Sequence, residues 1–352
     1  MSRIKLSVAC ALCVSLLPGC AVLGYYGQAV KGHWQLMRAR VPVQEVIDDP
    51  RTDQNTRLAL KRAEAARKFA SDTLGLPDNA SYTTYVDIKR PAVTWNVIAT
   101  RPLSIEPEKW CFPVAGCLSY RGYFRQEAAE AYAEQLRAEG LDVAVTQAGA
   151  YSSLGWFDDP LLSTMISRAE PLLAGVVFHE LAHQQLYVKN DSSFNESFAS
   201  FVERQGIEDW IAQLGQPELL ARYELYSSRR AEFLQLLTGL RQELAGLYGS
   251  NLSAEQKFDA KEAAFERLRE NYKALKNQWG GYSGYDTWFD KPLNNARVAG
   301  ISTYNRWVGA FATLFADSGK NYALFYQRSA ELAALEPAAR QDRLEALLPQ
   351  GG

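Results

Sequence analysis

His179-Glu180-Leu181-Ala182-His183, followed shortly by Asn195-Glu196-Ser197-Phe198-Ala199, is the stretch on which the reading of this 352-residue chain turns. In an α-helix, positions i and i+4 lie one above the other on one face, so the two imidazoles of H-E-x-x-H can point at a single ion. Glu180 then sits beside the metal's open position, where it can take a proton from water. The frame is strongly apolar: Leu172, Leu173, Val176, Val177, Phe178, Leu181, Leu186, Tyr187 and Val188 predict a buried helix. Two histidines and a glutamate buried there need partners. One zinc ion would supply them, and a hydrogen-bonded core network without metal is the competing reading.

The histidine count narrows the third ligand. The chain has three histidines, and the one outside the motif is His33, close to the N-terminus. Unless His33 folds back, a carboxylate must complete the set. Glu196 is the candidate: it opens a helical segment free of Gly and Pro, and twelve residues separate it from His183, enough for a turn and an antiparallel return. Glu203 lies two helical turns beyond Glu196, close to the same face. It could accept a hydrogen bond from a ligating imidazole, fixing the ring's tautomer, or pair with Arg204 or Arg222 on the surface. Asn195, beside Glu196, is a second candidate for such a supporting position. Hydrolysis also needs a donor for the developing oxyanion, and tyrosine is the next choice once histidine is exhausted. The loop holding Tyr282 and Tyr285 and the later Tyr304 supply candidates.

Read together, His179 to His183 and Asn195 to Glu203 resemble the gluzincin pattern, whose third zinc ligand is the Glu of an Asn-Glu pair on the following helix. The interval Gln184 to Phe194 is shorter than in the large zinc aminopeptidases of that group. The mature chain is also similar to a zinc aminopeptidase family of bacterial lipoproteins. That likeness rests on the two metal motifs and on Trp110 to Cys117, Tyr120 to Phe124 and Ala150 to Phe157, and is looser over the C-terminal third. It implies a zincin-like metallopeptidase, with His179, His183 and Glu196 on zinc, Glu180 as catalytic base and Tyr304 brought over the metal as oxyanion donor. It also implies that an edge strand upstream of the metal helix, here Leu141 to Tyr151, pairs with an extended peptide or protein substrate. Endopeptidase action on envelope proteins and a noncatalytic, zinc-stabilised lipoprotein are the alternatives.

The N-terminus reads as an address. Arg3 and Lys5 precede an apolar run from Leu6 to Leu17, and Leu17-Pro18-Gly19-Cys20 has the form of a cleavage site ending in cysteine. The run is too short to span a bilayer. The ending resembles a bacterial lipobox, which implies removal of residues 1–19 and lipid on Cys20. Ala21, where sorted lipoproteins carry Asp, favours the outer membrane, facing the periplasm. An uncleaved membrane anchor is the competing reading. With Cys10 and Cys13 removed and Cys20 lipidated, Cys111 and Cys117 remain as an even pair in an oxidising compartment, and a disulfide is expected.

The net charge of −2 gives no electrostatic reason to expect a nucleic-acid partner. The pattern predicts a helix from Asn55 to Leu74 and strands over Tyr82 to Ile88, Val93 to Thr100 and Tyr120 to Phe124. A helix Arg125 to Glu139 closed by Gly140 and a strand Leu141 to Gln147 follow. From Met165 onward the reading is helical, with Glu218 to Leu247 and Ala254 to Gln278 as an antiparallel pair. The expected architecture is α+β: residues 20–160 form a small N-terminal sheet region and 161–352 a mostly helical region carrying the metal residues, together one catalytic unit.

Overall fold

The computed structural model describes residues 17–112, 116–153, 156–302 and 306–349, with side chains from residue 24 onward except at 301 and 302. Helix α1 (Leu17–Arg38) leads into strand β1 (Val41–Pro42) and helices α2 (Val43–Asp48) and α3 (Gln54–Asp72). Asp53 caps α3 by accepting a hydrogen bond from the Thr56 amide, and Leu60, Ala63, Ala66, Phe69 and Ala70 form its buried face at helical spacing. The helix ends at Asp72, and three residues on Gly75 takes a φ of +65°, which turns the chain away.

The next segment carries strands β2 (Thr84–Val86), β3 (Thr94–Thr100), β4 (Trp110–Phe112), β5 (Gly116–Leu118) and β6 (Arg121–Tyr123). Helix α4 (Gln126–Ala138) and strands β7 (Asp142–Ala148) and β8 (Leu161–Leu162) follow. The predicted strand Tyr82 to Ile88 shrinks to three residues because Tyr82 and Lys89 adopt φ values of 63° and 51°, outside extended geometry. Three small sheets result: an antiparallel β6-β3-β7, a mixed β1-β2-β8, and the β4-β5 hairpin closed by a Cys111–Cys117 disulfide. In the first of these β7 is an edge strand.

The rest is helical: α5 (Ser163–Ile166), α6 (Glu170–Gln185), α7 (Ser192–Leu214), α8 (Pro217–Gly249), α9 (Ala254–Gln278), α10 (Asp286–Phe289), α11 (Asn295–Ser302), α12 (Val308–Asp317), α13 (Tyr322–Ala333) and α14 (Pro337–Leu347). Helices α6 and α7 are the centre of the molecule. Both bury nearly all round, as α7 shows in the run Phe194, Phe198, Phe201, Val202, Ile207 and Trp210. Their close approach depends on glycine: a Cβ on Gly175 would lie 2.5 Å from Ile207 Cδ1, and one on Gly206 would lie 2.8 Å from Phe178 Cδ2. Aromatic rings of α12 and α13 seal the far side of α7, with Phe311 and Phe325 fully buried against Phe198.

This core draws on residues from Leu36 to Leu344, so the sheet region and the helical region share it. The α8/α9 pair has a separate core of Phe233, Leu237, Leu240, Leu244, Phe265, Leu268 and Tyr272. Its turn closes with a capping box at Ser253 and Gln256. The molecule is α+β and mostly helical with small sheets.

Candidate metal centre

Helical periodicity alone stacks His179 over His183 on α6. The connection to α7 is fixed by Asn195, whose bonds go to the main chain and not, as its place beside Glu196 suggests, to a ligating imidazole. Asn195, 2% exposed, donates through Nδ2 to the Val188 carbonyl (2.8 Å) and accepts the Val188 amide at Oδ1 (2.7 Å). Both bonds clamp the turn, so Asn195 positions the start of α7 and with it Glu196. Asp191 caps the same helix by accepting from the Phe194 amide, and the buried Arg340 of α14 donates to its other oxygen at 2.9 Å.

The result is convergence. The Nε2 atoms of His179 and His183 lie 3.2 Å apart, and Glu196 Oε2 lies 3.4 Å from the first and 3.7 Å from the second. A tetrahedral ion bound at about 2.0–2.2 Å sets its ligand atoms about 3.3–3.6 Å apart. The residues present therefore fit such an ion, and His179, His183 and Glu196 are the group able to hold a metal among the described residues. His179 Nδ1 lies 3.0 Å from Glu203 Oε2, which fixes Nδ1–H as the donor and leaves the Nε2 lone pair facing the other two atoms. His183 Nδ1 is buried without a partner among the described residues.

Electrostatics point the same way. Burial works against a charged imidazole at His179, yet hydrogen bonds and charge from Glu196 and Glu203 outweigh it and raise its pKa well above the usual value. Burial would likewise raise Glu196, but the two imidazoles hold it down at about 2. Two carboxylates closing on two imidazoles demand positive charge, and a divalent cation meets that demand as a shared proton does. Glu180, adjacent to His179, feels the same network through its charges. Burial pushes its pKa up, the two histidines pull it down, and Glu196 and Glu203 oppose them.

Other candidates separate clearly. His33 does not fold back onto the metal helix: its Nδ1 is 3.1 Å from the Tyr151 hydroxyl and its ring packs on Phe157 at 4.5 Å. Tyr285 stacks on Phe233 at 4.0 Å inside the α8/α9 core. Tyr304 lies outside the described residues.

A tyrosine that sequence reasoning did not single out is Tyr120. It follows the disulfide hairpin and packs beside Ile98, Ala144 and Ala296. Burial raises its pKa first, and the charges of Glu196, Tyr187 and Glu180 raise it further. The hairpin is docked onto the turn between the metal helices by the Cys117 amide, which donates to Asn190 Oδ1 at 2.9 Å. Gly116, with a φ of +76°, permits that approach. The available signal was the Tyr120 to Phe124 segment itself, which carries part of the family resemblance.

These features define an α+β chain with a His-His-Glu group able to hold a metal ion, next to a buried glutamate, Glu180. Over residues 24–344 the chain matches the family model described as "Putative aminopeptidase", and it belongs to that family. No curated protein and no solved structure matches it.

Proposed function

We propose that this protein is a zinc-dependent aminopeptidase, held by lipid on Cys20 at the bacterial outer membrane with its site facing the periplasm. The observation that carries the enzymatic reading is the approach of three donor atoms to within 3.2–3.7 Å of one another, with the buried Glu180 adjacent to His179. The family match supports a peptide substrate. Support for the anchor is the Arg3 to Cys20 sequence alone.

A zinc ion held by His179, His183 and Glu196 would polarise the scissile carbonyl and acidify water at its open position. Glu180 accepts the proton of the attacking water and passes it to the leaving amine. Glu203 holds the His179 ring in one tautomer and orientation. Tyr120 donates a hydrogen bond to the oxyanion that forms on the carbonyl oxygen as water adds to the carbon. The outer edge of β7 offers unpaired main-chain groups to an extended substrate. At its start, however, Asn294 donates to the Val143 carbonyl at 3.0 Å, which confines such pairing to the exposed Thr146 and Gln147 end.

Glu180→Gln should retain one metal equivalent while turnover falls by about 10²–10⁴-fold, the usual range for loss of a general base. Metal analysis alongside peptide hydrolysis checks it, and full activity or loss of metal would remove Glu180 from this role. Acetylating the substrate N-terminus should stop cleavage. Continued cleavage of blocked peptides makes the enzyme an endopeptidase.

For Tyr120→Phe the expected change is a fall in kcat of about 10²-fold or more with KM and metal content little altered. Normal kcat in that variant, combined with a loss in Tyr304→Phe, transfers the oxyanion role to Tyr304.

A further inference from the structure

The exposed face of α1, together with the loop that touches its inner side, forms an aromatic and basic surface for which the site described above has no use. We infer that this surface lies on the membrane itself, seated in the headgroup layer of a bilayer containing anionic lipid. The inference rests on the lipid-anchor reading of Cys20.

Tyr26, Val30, Trp34 and Arg38 follow one another at intervals of four and so share one side of the helix. The three apolar side chains are 38%, 68% and 56% exposed. Gly24 and Gly27 leave the same end open, with nothing within 4 Å of where a Cβ would stand. Trp156 and Phe157 add two more rings at 71% and 53% exposure, brought to the helix by the packing of Phe157 on His33. Trp and Tyr favour the water–hydrocarbon boundary, where ring and polar edge are both accommodated.

The opposite side of α1 is firmly docked, so the aromatic row cannot simply turn inward. Leu36 is buried, Gln28 accepts the Phe124 amide at 3.0 Å, and Tyr25 lies under the Arg121 guanidinium at 4.0 Å. Gly32 sits against the Phe124 ring.

Charge selects the occupant. Up to Glu45 the chain contains no acidic residue, although the whole chain carries −2. Lys31, Arg38 and Arg40 are exposed beside the aromatic row, and Arg40 donates to the main-chain carbonyls of Met37 and Asp158. Basic groups at an anionic leaflet and rings at its boundary are the two components of interfacial attachment. Among the described residues no helix is long and apolar enough to cross a membrane, which suits a helix that lies on one. The row also begins six residues after Cys20, so acyl chains on that residue would bring this face to the bilayer first.

The test uses the full lipidated protein on vesicles of neutral and anionic phospholipid, with Val30→Cys or Leu225→Cys carrying an environment-sensitive fluorophore. Leu225, on α8, is 52% exposed and lies outside the surface. The expected result is co-flotation of both proteins, with a blue shift and quenching by brominated acyl chains at position 30 and neither at 225. Lys31→Glu with Arg38→Glu should reduce the shift at position 30 while hydrolysis of soluble peptides is unchanged. Protein that floats but keeps a water-exposed probe at position 30 overturns the surface and leaves the anchor intact. Protein that remains in the aqueous fraction overturns both. Cross-linking between two position-30 thiols, with no quenching by brominated lipid, assigns the face to a second copy of the chain and also overturns the proposal.

Discussion

Asp159 shows how far a single residue's environment departs from its sequence context. It reads as one of two ordinary acids after Phe157, yet it is fully buried, with Oδ2 accepting the Ser153 amide at 2.7 Å and the Ser153 hydroxyl at 2.9 Å. Among the described residues its Oδ1 has no partner. Burial above all, then the charges of Glu180 and Asp158, push its pKa to about 6 against the pull of the Ser153 bonds. In the unfolded chain it titrates near 4, so between those values the folded protein binds more protons. The associated stability is therefore present below about pH 4 and is lost as pH rises through about 6, a change of about 3 kcal/mol. Asp159→Asn should abolish that slope, which urea unfolding of both proteins at pH 4 and 7 would reveal; parallel profiles would place the carboxyl in contact with solvent. At this scale the metal residues were legible because i, i+4 stacking is a local property. Tyr120 and Asp159 were not, because burial and neighbouring charge come from distant segments.

At the scale of elements, the crossing of α6 and α7 sets the spacing of the centre. The histidines stand on one helix and the carboxylates Glu196 and Glu203 on the other, so any separation of the two axes is felt directly at the ligand atoms. Gly175 is the contact point. A Cβ there would meet Ile207 at 2.5 Å and Glu203 Cγ at 3.2 Å. Alanine would favour the helix by up to about 1 kcal/mol, but overpacking a tight contact costs about 1–3 kcal/mol, so the net effect is destabilising. Gly175→Ala should lower unfolding stability by about 1–2 kcal/mol and weaken metal retention against a chelator in the same variant. Stability at or above that of the parent would show that Ile207 can move aside. Helix positions were generally readable from periodicity: Ala254–Gln278 has the expected limits, and Gln54–Asp72 differs by one residue at its start and two at its end. The strand at Tyr82 was overread because its alternation gave no sign that Tyr82 and Lys89 would take positive φ.

For the whole molecule, the question is what ties the α8/α9 pair to the sheet. Lys261 of α9, 9% exposed, donates to Asp142 at 2.6 Å and to the Pro102 carbonyl at 2.9 Å. Asp142 also accepts the Asn295 amide at 3.0 Å. Removing one member of such a pair leaves the other charge incompletely compensated, so Lys261→Met should destabilise the protein by about 3 kcal/mol. Differential scanning calorimetry measures this, and an unchanged Tm would mean that the pair contributes no net stability.

The sequence by itself determined the two histidines and the glutamate able to hold a metal, their placement on helices and the α+β, mostly helical character with small sheets, because these follow from local periodicity and side-chain chemistry. Tertiary structure alone decided that three donor atoms meet, that Asn195 clamps a turn, that Tyr120 packs against Ile98, Ala144 and Ala296 and that an aromatic row on α1 faces outward. Each of these depends on contacts between segments far apart in the chain, and such contacts leave no period in the sequence to be read.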